Sequence, residues 1–187
     1  KQLRDDVQAM YGSDRRRLLE RSLGSLDKRL EFARYHYQEQ KKLMAGVVPA
    51  DAGPMHHVEL ALGGRGASGH AFGQARMHAM AHVVACVASM HAVADTLAYA
   101  VYHALAMDLD PRTRVIERSI NVHSVLERLE CVGASSPMRE LTDHDGFRYL
   151  NAMANQSKHQ ALVGVGYRAD FDPAPDAPSH GLSFAAF

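Results

Sequence analysis

The sequence predicts a mainly α protein: a bundle of four principal helices with a long crossover loop and a small C-terminal β-hairpin. Three observations predict it. Apolar residues recur at helical spacing over four stretches, Gly and Pro crowd the interval between the first two, and apolar alternation of period two appears near the C-terminus. At 187 residues, 47% hydrophobic and 22% charged, the chain suits a single domain, 1–187, with its own core.

Residues 1–13 form a polar lead-in with Leu3, Val7 and Met10 at helical spacing, broken at Gly12 and restarted by Ser13 or Asp14 as N-cap. The first principal helix is expected at about 14–45, where Leu19, Leu23, Leu26, Leu30, Ala33, Tyr37 and Met44 make an apolar seam. Its arginine-rich start, residues 15–17, suits solvated surface. Pro49, Gly53, Pro54, Gly63, Gly64, Gly66 and Gly69 then punctuate a crossover expected to be mobile, in which only residues 58–62 could order as a short strand or turn and His56 and His57 are bystanders. The second helix is expected at about 70–108, with Val83, Cys86, Val87, Met90, Ala94, Leu97, Val101 and Leu105 on its core arc and alanines that permit close approach. Pro111 opens a third helix at about 111–132, which stops at Gly133. A short helical piece at 138–141 leads into a fourth helix at about 144–160, capped by Asp143 or Asp145. Two alternating runs around a Pro- and Asp-rich break then predict the hairpin, at about 161–187, as a lid on the bundle.

Lys plus Arg equals Asp plus Glu, 21 each, so any nucleic-acid contact must be local rather than carried by net charge. Cys86 and Cys131 lie in apolar helical context, which argues against a disulfide framework and fits a reducing cytoplasm. No unbroken run of about 18 apolar residues predicts a membrane partner. The stretch Gly63-Gly64-Arg65-Gly66 lacks the spacing of a phosphate-cradling glycine loop, and no serine nucleophile motif occurs. No cofactor is expected. The chain begins without Met and stops in an apolar run at Phe187, so the natural protein is expected to extend further.

Chemistry concentrates in Phe147 to Val163. Wound at about 100° per residue, this stretch puts His144, Arg148, Asn151, Asn155, Lys158 and His159 within an arc of about 100°. Phe147, Leu150, Met153, Ala154 and Ala161 take the adjacent apolar arc. An idle solvated face favours Glu, Lys, Gln and Arg over Asn, so two asparagines beside a Lys-His pair call for a reason. Two stand: a hydrogen-bonded seam against a neighbouring helix, or a site where imidazole, amide and cations meet a phosphate.

The run YLNAMANQSKHQALV resembles the last helix of HEPN-superfamily proteins, compact helical domains of nucleotide-binding proteins and RNA-cleaving toxins. It is similar in particular to uncharacterised bacterial members with an Asn-x-x-Lys-His signature, here Asn155, Lys158 and His159. The resemblance implies a helical fold over about 19–163, a homodimer, and a nucleotide- or RNA-binding face. It assigns catalysis, where any survives, to His159, Lys158, Asn155 and Arg148. The nuclease branches place Arg four to six residues before the His. Here that position is Asn155, and the nearest helical arginine is Arg148. A literal Arg-x4-His occurs at Arg139 and His144, beside Pro137 and a helix entry.

On the second helix, His91 and Asp95 stand at i and i+4, a spacing that lets a carboxylate orient an imidazole; with Asn151 they are candidate ligand-binding residues. His78 and His82 share the same spacing, that of a metal-ligating pair, with His123, Glu130 and His159 as candidate third ligands. The leading reading is nucleotide or RNA binding at the fourth-helix face, with ribonuclease activity weak or lost. The alternatives are a non-catalytic oligomerising bundle and a histidine-ligated metal-binding bundle.

Overall fold

The structure is a computed structural model that describes residues 1–49, 51–64, 66–131, 133, 136–159, 164–172 and 180–184. Gly12, at φ 88°, separates α1 (Gln2–Tyr11) from α2 (Ser13–Ala45), and its amide donates to Gln8 O at 2.9 Å to close α1. The polar lead-in is therefore a full helix, of which only Val7 is buried. Pro54 at the first helical position starts α3 (Pro54–Ala61) inside the stretch expected to be a mobile crossover. The pre-set φ of Pro and the absence of a needed amide at that position make a breaker in sequence into an initiator in place. Next come α4 (Gly66–Ala104), α5 (Val122–Glu130), α6 (Ser136–Asp143) and α7 (Asp145–His159). The chain is mainly α, with a C-terminal ribbon of β1 (Val165–Ala169) antiparallel to β2 (His180–Phe184).

The third helix is shorter than its apolar spacing predicts: among the described residues of 111–132 only Val122–Glu130 is α-helical, preceded by a 3-10 turn at Glu117–Ser119. Local side-chain bonds hold the rest out of the helix. Asp110 accepts from Arg112 N at 2.9 Å, buried Thr113 donates to Met107 O at 2.8 Å, and Tyr102 Oη donates to Val115 O at 3.1 Å while accepting from Val115 N at 3.3 Å. Asn121 then starts α5 with a capping box, accepting from the amides of His123 and Ser124 as Ser124 Oγ accepts from Asn121 N.

The chain divides into two compact units, residues 1–33 with 88–154 and residues 34–87 with 155–187. In the first, Ala94, Ala98 and Tyr102 on one stripe of α4 pack against Val122, Val125, Leu126 and Leu129 of α5, with Met138 and Phe147 joining them. A second cluster closes Val7 and Leu19 on Ala100. The core stripe is thus shifted from the predicted arc: Met90 and Leu105 are about half exposed. Alanines let the backbones approach, and the bulkier residues of the predicted arc ride beside that contact. In the second unit Met44, Val48, Leu60, Phe72 and Ala79 form the core, joined by Tyr167 of β1 and its cross-strand partner Leu182 of β2. That packing supplies what a lone two-stranded ribbon lacks in water.

Among the described residues α4 alone is long and apolar enough to cross a bilayer, with a window of mean hydropathy 1.5 of which 22% is buried.

Candidate functional site

α7 has the apolar face that its sequence predicts, with Met153 and Ala154 buried and Phe147 packed on the first unit's core. On the polar side Arg148 is 65% exposed, with carboxylates of Asp143 and Asp145 at 4.0 and 3.9 Å, too distant for tight pairing. Asn151 is half-buried, and His91 Nε2 of α4 donates to its Oδ1 at 2.9 Å. Asp95, one turn beyond His91, accepts from Val122 N at 3.0 Å and so places a carboxylate on the amino end of α5. Asn155 and Lys158 are exposed and belong to the second unit. His159 ends α7, and its side chain lies outside the described residues, as do Ala161 and Val163. Of the predicted site, then, the structure brings His91 and Asn151 into contact and gives Asp95 a helix-capping task.

The literal Arg-x4-His pair serves structural ends. Arg139 forms an ion pair with Glu130 of α5, and His144 Nδ1 accepts from Gly146 N at 3.0 Å. His144 rather than Asp143 or Asp145 is therefore the side chain that satisfies an early amide of α7.

A second constellation in the first unit was not foreseen from the sequence. Arg15, expected at the surface, is only 12% exposed in its side chain. It grips Asp108 with both terminal nitrogens at 2.7 Å, and its Nη1 lies 3.5 Å from His103 Nδ1. The Nη2 arm is a well-aligned hydrogen bond, whereas the Nη1 arm is an ion-pair contact whose angle misses hydrogen-bond geometry. The three line a cavity of about 700 Å³ with Tyr102 and Arg114. The hydrogen bond from Arg15 holds the Asp108 carboxyl below its usual range. Burial, then the Arg15 charge, lowers the His103 pKa, favouring the neutral ring. A fixed cation beside a neutral imidazole can accept and orient a polar ligand, but Asp108 already offsets the Arg15 charge. The signal was invisible in sequence because the pair spans 93 positions.

In the second unit His57 is 5% exposed, and its Nδ1 lies 2.6 Å from Tyr167 Oη, with the His180 ring 5.2 Å away between centroids. It is a core residue rather than the expected bystander. Burial raises the Tyr167 pKa; burial and then His57 lower that of His180. Beside them is a cavity of about 540 Å³, lined by Tyr37, Lys41, Met44, Val83, Cys86 and His180 among others. Neither Cys86 nor Cys131 is in a disulfide, and burial pushes the Cys86 thiol up, away from the reactive thiolate. Among the described residues no three His, Cys, Asp or Glu side chains converge as a metal cage. His123 and Glu130 belong to the first unit, His78 and His82 to the second.

Comparison with protein-family models, curated proteins and solved structures finds no match, so the functional reading rests on the residues of this chain.

Proposed function

We propose that the chain is a HEPN-like helical protein that binds a nucleotide or RNA through the polar face of α7, with ribonuclease activity weak or lost. The observation that carries the reading is the exposure of the Arg148 guanidinium, which has only loose carboxylate neighbours. Asn155 and Lys158 are exposed further along the same helix. Arg148 in the first unit and Lys158 in the second are each a cation of the kind that meets a phosphate. His159 is the proposed acid or base, since imidazole starts with a pKa near about 6.5. Asn155 where the nuclease branches carry Arg removes a cation from the phosphate and favours binding over cleavage.

Fluorescence anisotropy with a labelled single-stranded RNA, beside competition by free nucleotide, tests the reading. The double variant Arg148→Ala/Lys158→Ala is expected to weaken binding at least about tenfold. It should also flatten the salt slope by about 1.4, two phosphate contacts at about 0.7 each. Binding that is absent in the parent, or unchanged in the double variant, rejects it. Any cleavage should disappear in His159→Ala; loss in Arg139→Ala or His144→Ala instead would move the site to the literal Arg-x4-His pair.

The His91–Asn151 bond favours a second reading, in which polar residues of this helix serve packing and the protein is a non-catalytic oligomer. A homodimer is consistent with either. Each unit by itself leaves large apolar side chains about half exposed, Phe32 and Met90 in the first and Tyr37 and Met77 in the second. Light scattering is expected to return twice 20.6 kDa, and a monomer at micromolar concentration counts against pairing.

A further inference from the structure

The second unit holds a histidine pair that neither its core nor the proposed α7 site uses. His36 of α2 and His82 of α4 meet through their Nδ1 atoms at 2.9 Å, with ring centroids 5.2 Å apart and planes tilted by 44°. Tyr35 sets the edge of its ring against both, at 5.2 and 6.2 Å between centroids. Both imidazoles are half-buried. A direct bond between them requires that one Nδ1 carry a proton and the other, on a ring protonated at Nε2, offer its lone pair. The same approach is close to what a shared metal ion imposes. With Zn–N bonds of about 2.0–2.1 Å and tetrahedral angles, two ligating nitrogens stand about 3.3 Å apart. The nitrogens must part by about 0.4 Å and the two rings must turn so that both Nδ1 lone pairs converge on one point, motions that the broad χ2 torsion of an imidazole ring allows.

No third metal-ligating side chain converges on the pair among the described residues, so a third imidazole would have to be recruited. His78 lies one helical turn before His82 on the same face of α4, the i, i+4 spacing of helical metal-ligating pairs, and it is exposed. Glu39, the carboxylate one turn beyond His36, is instead tied to Lys42 at 2.7 Å. We infer that His36 and His82, completed by a swing of His78 and by water, form a site for a divalent transition ion of the zinc class, binding through imidazole nitrogen. Imidazole donors suit zinc, cobalt, nickel and copper, whereas calcium and magnesium require oxygen. Bound metal would cross-link α2 to α4 within this unit. Two ligands are in place and the third must be recruited, so affinity falls on the order of micromolar rather than in the range of closed structural sites.

The experiment is a Zn²⁺ titration of the full, tag-free chain by calorimetry, with Co²⁺ as an optical probe. One equivalent of Zn²⁺ is expected to bind, and tetrahedral Co²⁺ to give intense visible absorption that Zn²⁺ abolishes. At about 100 times the dissociation constant, Zn²⁺ should raise the thermal midpoint by roughly 5–10 °C. His36→Ala and His82→Ala should each weaken binding by at least about tenfold, and His78→Ala should weaken it less and shift the Co²⁺ spectrum. His36→Gln and His82→Gln, which keep a polar side chain, serve where the alanine variants fail to fold. Exposed His70 is the control, and His70→Ala should bind as the parent does. Absence of stoichiometric binding, or affinity unchanged in both His36 and His82 variants, overturns the proposal. Binding equally sensitive to His70→Ala also overturns it, as it would mark unspecific surface chelation.

Discussion

Leu19→Ala is expected to lower the thermal midpoint by roughly 4–20 °C, while Leu18→Ala moves it by no more than a few degrees. The two leucines are adjacent in α2 but meet different surroundings. Leu19 is fully buried and closes on Val7 and Ala100, whereas Leu18 is 37% exposed. Truncating a buried Leu loses its transfer free energy and leaves a cavity, together costing about 2–5 kcal/mol. The buried part of the cavity wall is a β-branched Val and an Ala, which are poorly able to reach into it, with Leu23 and Ala104 packed at its edge. Far-UV circular dichroism melts of both variants decide the matter. Equal shifts would show that the Val7–Leu19–Ala100 cluster is not a separate contribution to stability.

The second large effect concerns Arg15. Arg15→Met keeps the apolar stem but removes the fork on Asp108, and should destabilise the chain by about 1.5–3 kcal/mol, the range for hydrogen bonds to charged groups. The lower end is favoured because Asp108 is 35% exposed in its side chain and water can partly replace the lost partner. The pH dependence carries its own signature. Asp108 has a depressed pKa, chiefly through the Arg15 hydrogen bond. Its contribution is full above an unfolded value of about 4 and is lost as pH falls through the lower folded value. His103 is also shifted down, by burial and then by Arg15. The unfolded chain therefore binds the proton more readily, and stability declines as pH falls below about 6.5 toward the folded value. His180, lowered by burial and His57, acts over the same window. Denaturant titrations of the parent should thus weaken in two acid stages, and Arg15→Met should shrink the lower one. An undiminished lower stage would show that Asp108 does not depend on Arg15.

Much of the architecture was legible because helical period and strand alternation are local signals. The seam of Leu19 and Leu23, the apolar face of α7 at Met153 and Ala154, and the alternation around Tyr167 could be read without knowing any neighbour. Local bonding defeated the same reading between 105 and 121. There Thr113 and Asp110 give the backbone partners outside a helix, although Val115, Ile116 and Ile120 keep an apolar spacing. α3 was hidden because Gly53 and Pro54 look the same at a helix start as in a loop. For the candidate site, sequence named residues but not their pairings. His91 and Asn151 were both named as candidates, yet periodicity says nothing about which helix faces which, so their contact was not readable. The same blindness left Arg15 apart from Asp108 and His82 apart from His36, 46 positions away.

The first unit is discontinuous in sequence: residues 1–33 are completed by residues 88–154. That layout imposes an order on biogenesis. Val7 and Leu19 are made before Ala100, which follows Leu19 by about 80 residues, a delay of roughly 4–16 s at about 5–20 residues per second. Throughout that interval the nascent chain carries two apolar side chains whose native partner has yet to be translated. Helix α2 must wait for a contact of long sequence separation, the kind whose loop-closure entropy slows folding. The α5 cluster of Val122, Val125, Leu126 and Leu129, assembled against residues Ala94 to Tyr102 made shortly before, meets no such wait. Folding should therefore begin in the later-made part of the unit, and Val7 and Leu19 are the residues a chaperone has reason to hold.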